Sequence, residues 1–405
     1  MPQAGPLIPR DLTIPDPGST TARAVLSAEL SRMPYALRSA PRWAPPGARE
    51  EAAAVAELMR AVQGREAAGA LLSALRRPTV GGPYRCARNE GLPDREAAFV
   101  EMTAQLLFAL AVSGALPAPV RLRRVPPRLL SIPARLGLAI AKGADAVVFE
   151  RGSVTVERGG ARARVDLAEP APAPGVEVER PFVPIRGDVV LALADNNPLA
   201  MVEAHPDKEG NALDLGGHPA EAWASALDRA LARIERHLPD LYGEMQLFVA
   251  QVVPVGWHGE KHLSASYQEV IGTVYMTLHP SSMTLSEALI HEFSHNKLNA
   301  LFELDDVLEN AFSPLYASPV RPDPRPLHGV LLAVHAFLPV ARLYERMIEA
   351  GDPEAQGADF AKRFADVRRI NHEGAEIVLG HGKPTAAGKG LLDEIRRWDD
   401  YYARF

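Results

Sequence analysis

Cysteine is nearly absent. Cys86 is the only one in 405 residues, so no internal disulfide can form and no oxidising compartment is called for. Net charge is scarce as well: 44 basic and 50 acidic side chains leave a balance of −6. That is too weak, and of the wrong sign, for a chain that relies on charge to hold nucleic acid or an anionic membrane. No stretch approaches the roughly 18 uninterrupted apolar residues of a membrane span. The apolar runs near 105–116 and 327–341 are short and carry polar residues. The N-terminal MPQAGPLIPRDLTIPDPGSTTARAV lacks a basic segment followed by an apolar one, so no signal peptide is expected and a cytoplasmic location is the default.

What is present is the balance of a globular protein, 47% apolar and 23% charged, with length for two or three cores of about 100–200 residues each. Residues 1–48 are rich in proline and poor in periodic segments, and read as an extended or irregular lead-in. REEAAAVAELMRAVQ and PDREAAFVEMTAQLLFALAVSGAL carry apolar residues at three-to-four spacing, which predicts helices between about 49 and 115. Five prolines break 116–136 into a connector. DAVVFERGSVTVERGGARARVDL alternates apolar and polar residues around Gly152 and Gly159-Gly160, which predicts a β-meander. DVVLALADNNPLAM is a buried strand ending in a turn cluster, and from 219 a long amphipathic helix is expected. MQLFVAQVVPVG and EVIGTVYMTL are expected strands around an irregular loop, 257–267. The expected class is α+β, mainly helical. It comprises a helical N-terminal region (1–140), a β-rich middle (141–215) and a catalytic region (216–405) in which a strand precedes the motif-bearing helix.

That motif is ALIHEFSHNKLNAL at 288–301. His291 and His295 lie one helical turn apart, so both imidazoles project from one face, with Glu292 between them. Thr284 and Glu287 are placed as a capping box, and no glycine or proline interrupts 285–309. The pattern points strongly to a metal and only weakly to a reaction. Leu298 and Leu301 stand where an extended metzincin has glycine and histidine, which excludes that class. Glu303, about 12 Å along the helix from His295, is too far to share an ion. A third ligand is sought on PRPLHGVLLAVHAFLPVARLYERM, where His328, His335 and Arg342 share a stripe and Pro326 suits a helix start. Pro339 lacks the N–H that would bond the carbonyl of residue 335, which predicts a kink beside a buried His335. His335 is the preferred third ligand, with His328 and the carboxylates of Glu309 and Glu345 as alternatives.

HEFSHNKLNALFEL followed by RPDPRPLHGVLLAVHAFLPVA resembles the HExxH-motif peptide-modification proteins found beside ribosomally synthesised peptide precursors. DNNPLAMVEAHPDKEGN, HLSASYQEVIGTVYMTLHP and EIVLGHGKPTAAGKGLLDEI fit the same pattern, so the resemblance covers roughly 190–395. It implies iron(II)- and 2-oxoglutarate-dependent β-hydroxylation of a peptide, with a precursor peptide as partner, rather than proteolysis. Such an enzyme needs a cation for the distal carboxylate of the co-substrate. Arg342 and Lys389 are the preferred candidates, with Arg325 and Lys297 beside them. Glu292 would orient a ligand or water in an oxygenase; in the alternative, a zinc peptidase, it would be the general base. Asp195, Asn197, His205 and Lys208 form a dense polar loop that is either a solvated turn or part of a site.

Overall fold

The computed structural model describes residues 7–202, 204–205, 208–319 and 323–405, the side chains of 204–205 and 208–209 excepted. Helices come first: α1 (Thr21–Arg38), α2 (Arg49–Ala61), α3 (Arg65–Arg76), α4 (Pro78–Arg88) and α5 (Arg95–Val112). The proline-rich lead-in is therefore not an irregular arm throughout. Val25, Met33 and Leu37 bury one face of α1, and this packing carries Pro34 inside the helix. Ahead of it, Asp11–Ile14 is buried, its Thr13 and Ile14 N–H groups donating to the Glu394 carboxylate at 2.9–3.0 Å.

The β-rich part begins about twenty residues earlier than expected. Val120–Leu122 pairs with the predicted meander of Ala146–Glu150, Ser153–Arg158 and Ala161–Asp166. Arg128–Ser131, Leu136–Ile140 and Val176–Glu179 make a second antiparallel sheet. Prolines flank these strands without interrupting their ladders, which is why a stretch that looked like a connector still pairs.

A five-stranded mixed sheet positions the site. Its spatial order is Ser264–Ala265, Thr273–Leu278, Gln251–Trp257, Val189–Ala192, Phe182–Arg186. The middle three strands are parallel and the two edges antiparallel. The expected long helix from 219 is two, α6 (Ala220–His237) and α7 (Pro239–Phe248), because Pro239 starts a new first turn. Then follow α8 (Ser282–Phe302), α9 (Leu327–Glu349), α10 (Ala358–His381) and α11 (Ala386–Tyr402). Half of the chain is helical and 17% is strand, an α+β fold dominated by helices.

One hydrophobic cluster extends from Leu12 to Tyr402, so the three regions of the sequence share a core. α9 packs between α8 and α10. It is long and apolar enough to cross a membrane by composition, and 72% of its most apolar window is buried inside the protein.

Candidate metal centre

α8 begins at Ser281, whose Oγ accepts from the Thr284 N–H at 3.2 Å. The capping box expected at Thr284–Glu287 therefore does not form. Glu287 points outward from the first turns and accepts instead from Tyr344 of α9 and from Arg363 of α10, at 2.7 Å in the Arg363 Nη2 contact. The helix is fixed to the sheet by Asn296, whose Oδ1 accepts from the Gly272 N–H at 2.6 Å.

Along this helix the two imidazoles meet. His291 Nε2 and His295 Nε2 are 2.9 Å apart, and the rings stand edge to face at 4.4 Å between centroids. Phe337 of α9 closes one side, 4.7 Å from the His291 ring. Each imidazole keeps only partial solvent contact. Burial holds His291 down to about 4, with the Arg363 charge adding to it. Burial also holds His295 far below its usual value, helped by the neighbouring histidines. Both rings are thus neutral near pH 7, the state that binds a metal.

Glu292 faces the edge of the sheet. Ser264 Oγ donates to its Oε1 and Ser266 Oγ to its Oε2, both at 2.7 Å. Its carboxylate is buried and held on both oxygens.

The donor set fits a divalent ion at two positions. Two ligands on one ion with bonds of about 2.1 Å stand about 3.0–3.4 Å apart, depending on the coordination number, and the two nitrogens are held at 2.9 Å. Without an ion it is a hydrogen bond in which one ring donates. His291, Glu292 and His295 are the one group of three potential ligand residues, all within 4.8 Å of one another, among the described residues.

His335 is not brought into that group. It lies in the core with 0% exposure, and neither ring nitrogen has a hydrogen-bond partner among the described residues. Burial holds it neutral and the Lys297 charge adds to this; the Leu12 backbone nearby opposes the shift without completing a bond of normal geometry. His335 thus belongs to the interior between α8, α9 and the Leu12 segment, and Pro339 sits within a continuous α9.

The alternatives are engaged elsewhere. His328 is layered between Phe302 and Phe312, at 4.4 and 5.2 Å. Glu345 is fully buried and accepts from Tyr401, Tyr402 and Arg342. Glu309 is exposed.

None of the four cations expected for a co-substrate lies at the histidine pair. Arg342 bonds Glu345 at 2.7 Å and covers Trp398. Arg325 pairs with Asp323 at 2.9 Å, and Lys389 is exposed on α11. Lys297 is fully buried against Glu244 at 2.6 Å. The cation whose charge does reach His291 is Arg363, in its ion pair with Glu287. Sequence pattern could not find it, because it lies seventy residues away on another helix; only Glu287, one turn before His291, hinted at a charged neighbour.

The polar loop turns out to be a fastening. Tyr275 OH donates to Asp195 Oδ2 at 2.6 Å, and Asn197 Nδ2 donates back to the Tyr275 oxygen at 3.0 Å. The side chains of His205 and Lys208 lie outside the described residues.

Compared with known proteins, the chain matches no family model and no curated protein.

Proposed function

We propose that this chain is a metal-dependent enzyme in which His291 and His295 hold iron(II), and that it hydroxylates the β-carbon of a residue in a ribosomally made peptide with 2-oxoglutarate as co-substrate. The observation that carries the choice between oxidation and hydrolysis is the state of Glu292. A peptidase needs this carboxylate as a base for a metal-bound water. Here each of its oxygens already accepts a serine hydroxyl at 2.7 Å, which fixes the carboxylate in place and suits an orienting role. The resemblance described above supplies the reaction class. Iron with 2-oxoglutarate and O₂ supplies the oxidising power for C–H hydroxylation.

The residues of the chain then divide as follows. His291 and His295 are the protein ligands, and the remaining positions are left to the co-substrate and water. Arg363, whose charge reaches His291 from its ion pair with Glu287, is the candidate cation for a distal carboxylate. Phe337 screens one side of the pair from water. A peptide substrate is favoured by the strand Ser264–Ala265. It is the edge of the five-stranded sheet and carries Ser264, which bonds Glu292, so an added extended strand would run past the histidine pair.

The same edge strand beside an HExxH helix is the observation that favours the second reading, a zinc peptidase. One experiment separates them. The protein is purified without oxygen, loaded with iron(II) and 2-oxoglutarate, and assayed for succinate with candidate peptides. Succinate coupled to a peptide mass gain of one oxygen is the expected outcome. Peptide cleavage restored by zinc, with no succinate under any condition, would overturn the oxygenase reading.

A further inference from the structure

A cavity of about 660 Å³ opens between the first turns of α5, the Pro126-Pro127 segment, the Arg128–Ser131 and Leu136–Ile140 hairpin, and Asp195–Pro198. Its size is that of a small-molecule pocket. Ala98, Pro127, Leu130 and Ile140 give it apolar walls, and its polar floor is made by Glu101, Asp195 and Asn196.

Among the described residues the two carboxyls on that floor have no cation. Glu101 Oε1 accepts only from the amides of Asn196 and Gln105, both at 2.8 Å. Its Oε2 makes no hydrogen bond among the described residues. Asp195 accepts from the Tyr275 hydroxyl and from the Asn197 N–H. All of these donors are neutral, and burial raises both carboxyls from their ordinary range with no positive side chain to oppose it. Both side chains are half-buried, and carboxylates withdrawn from water are ordinarily paired with a cation or a metal.

The floor is also pre-organised. Asn196 Nδ2 is shared with the Thr79 carbonyl at 2.9 Å, and Gln105 is fixed by the Leu130 N–H and the Arg128 carbonyl. The cations at the rim do not fill the role: Arg128 is paired with Glu179 at 3.0 Å, and Lys142 is exposed.

We propose that this cavity binds a primary ammonium group carried on an apolar stem, with the ammonium between Glu101 and Asp195 and the stem against Leu130 and Ile140. A free alkylamine and the side chain of a peptide lysine share this chemistry. Two carboxyls without a third ligand residue are a poor cage for a divalent ion, and among the described residues the one three-membered candidate group is at His291.

The test is calorimetric titration of the full chain with n-butylamine, n-butanol and butyrate. Butylamine is expected to bind at least about tenfold tighter than the other two, since a hydrogen bond to a charged group contributes about 1.5–3 kcal/mol. Glu101→Gln should weaken it by a similar factor. Ala97→Trp, at an exposed position on the cavity mouth, should abolish it while the circular dichroism spectrum is unchanged. Nα-acetyl-lysine amide binding more tightly than butylamine assigns a peptide source, and the reverse order assigns a free amine. Equal binding of butanol or butyrate, indifference to Glu101→Gln, or displacement of the amine by calcium or magnesium overturns the proposal.

Discussion

Lys297 lies two residues beyond His295, yet it belongs to the core, and replacing it measures how far a buried charge holds α8 in place. Its ammonium is fully buried and 2.6 Å from Glu244 Oε2. At an effective dielectric of about 20 the pair attraction at this distance is about 6 kcal/mol. Desolvation opposes it strongly enough that the Glu244 carboxyl is still raised by burial despite the lysine beside it. The net worth of the pair is therefore small, whereas the worth of each partner to the other is large. Lys297→Met leaves Glu244 buried without a counter-charge, and should lower the unfolding free energy by about 3–5 kcal/mol. That is a large share of a typical total of about 5–15 kcal/mol. Adding Glu244→Leu should restore stability to within about 1 kcal/mol of the parent. Urea denaturation of the parent, both single variants and the double variant, at constant m-value, gives the coupling directly. On the proposed metal site, the double variant should also bind metal as the parent does, because Lys297 faces Glu244 and the Thr13 carbonyl rather than the histidine pair. A Lys297→Met loss below about 1 kcal/mol, or a double variant as unstable as the sum of the singles, would refute the reasoning.

Other outcomes follow from the same geometry. On the proposed metal site, alanine at His291 or His295 should remove bound cobalt(II) or iron(II), read as metal per chain after gel filtration; alanine at His335 should leave the stoichiometry unchanged, since its ring lies outside the group of His291, Glu292 and His295. Glu394 is pushed up to about 7 from an ordinary 4.5, burial outweighing the Thr13 and Ile14 N–H bonds and the Lys297 charge. A carboxyl raised on folding costs stability when it must ionise, so this group's penalty is absent below about 4.5 and complete above about 7. The stability of the parent should fall across that window relative to Glu394→Gln, as followed by denaturant titration at a series of pH values. Gly388→Ala, in the first turn of α11, should cost about 1–3 kcal/mol, because a Cβ there would meet the Val307 carbonyl oxygen at 1.8 Å; an unchanged melting temperature would show that the segment around Val307 yields freely.

Much of the architecture could be read along the chain because it is written in local periods. The meander at 146–166 alternates around its glycines, the α5 and α8 patterns repeat every three to four residues, and the strand before the motif lies where expected. Where the reading failed, packing overrode a local signal. Pro34 is carried inside α1 by the buried face of Val25, Met33 and Leu37. Ser281, rather than Thr284, caps α8, because Glu287 is recruited by Tyr344 and Arg363 from two later helices.

The sequence by itself determined the histidine pair, because i and i+4 on a helix must share a face whatever surrounds them. It could not determine what joins that pair. A stripe on α9 placed His335 on a plausible face, but which way that face turns is decided by how α9 packs on α8 and by the Leu12 segment threaded beside them. Likewise the roles of Glu292, Lys297 and Arg363 depend on partners 26–76 residues away: Ser264 and Ser266, Glu244, and Glu287. Pattern spacing specifies direction on one element. Contact between elements is fixed only by the packing that buries them.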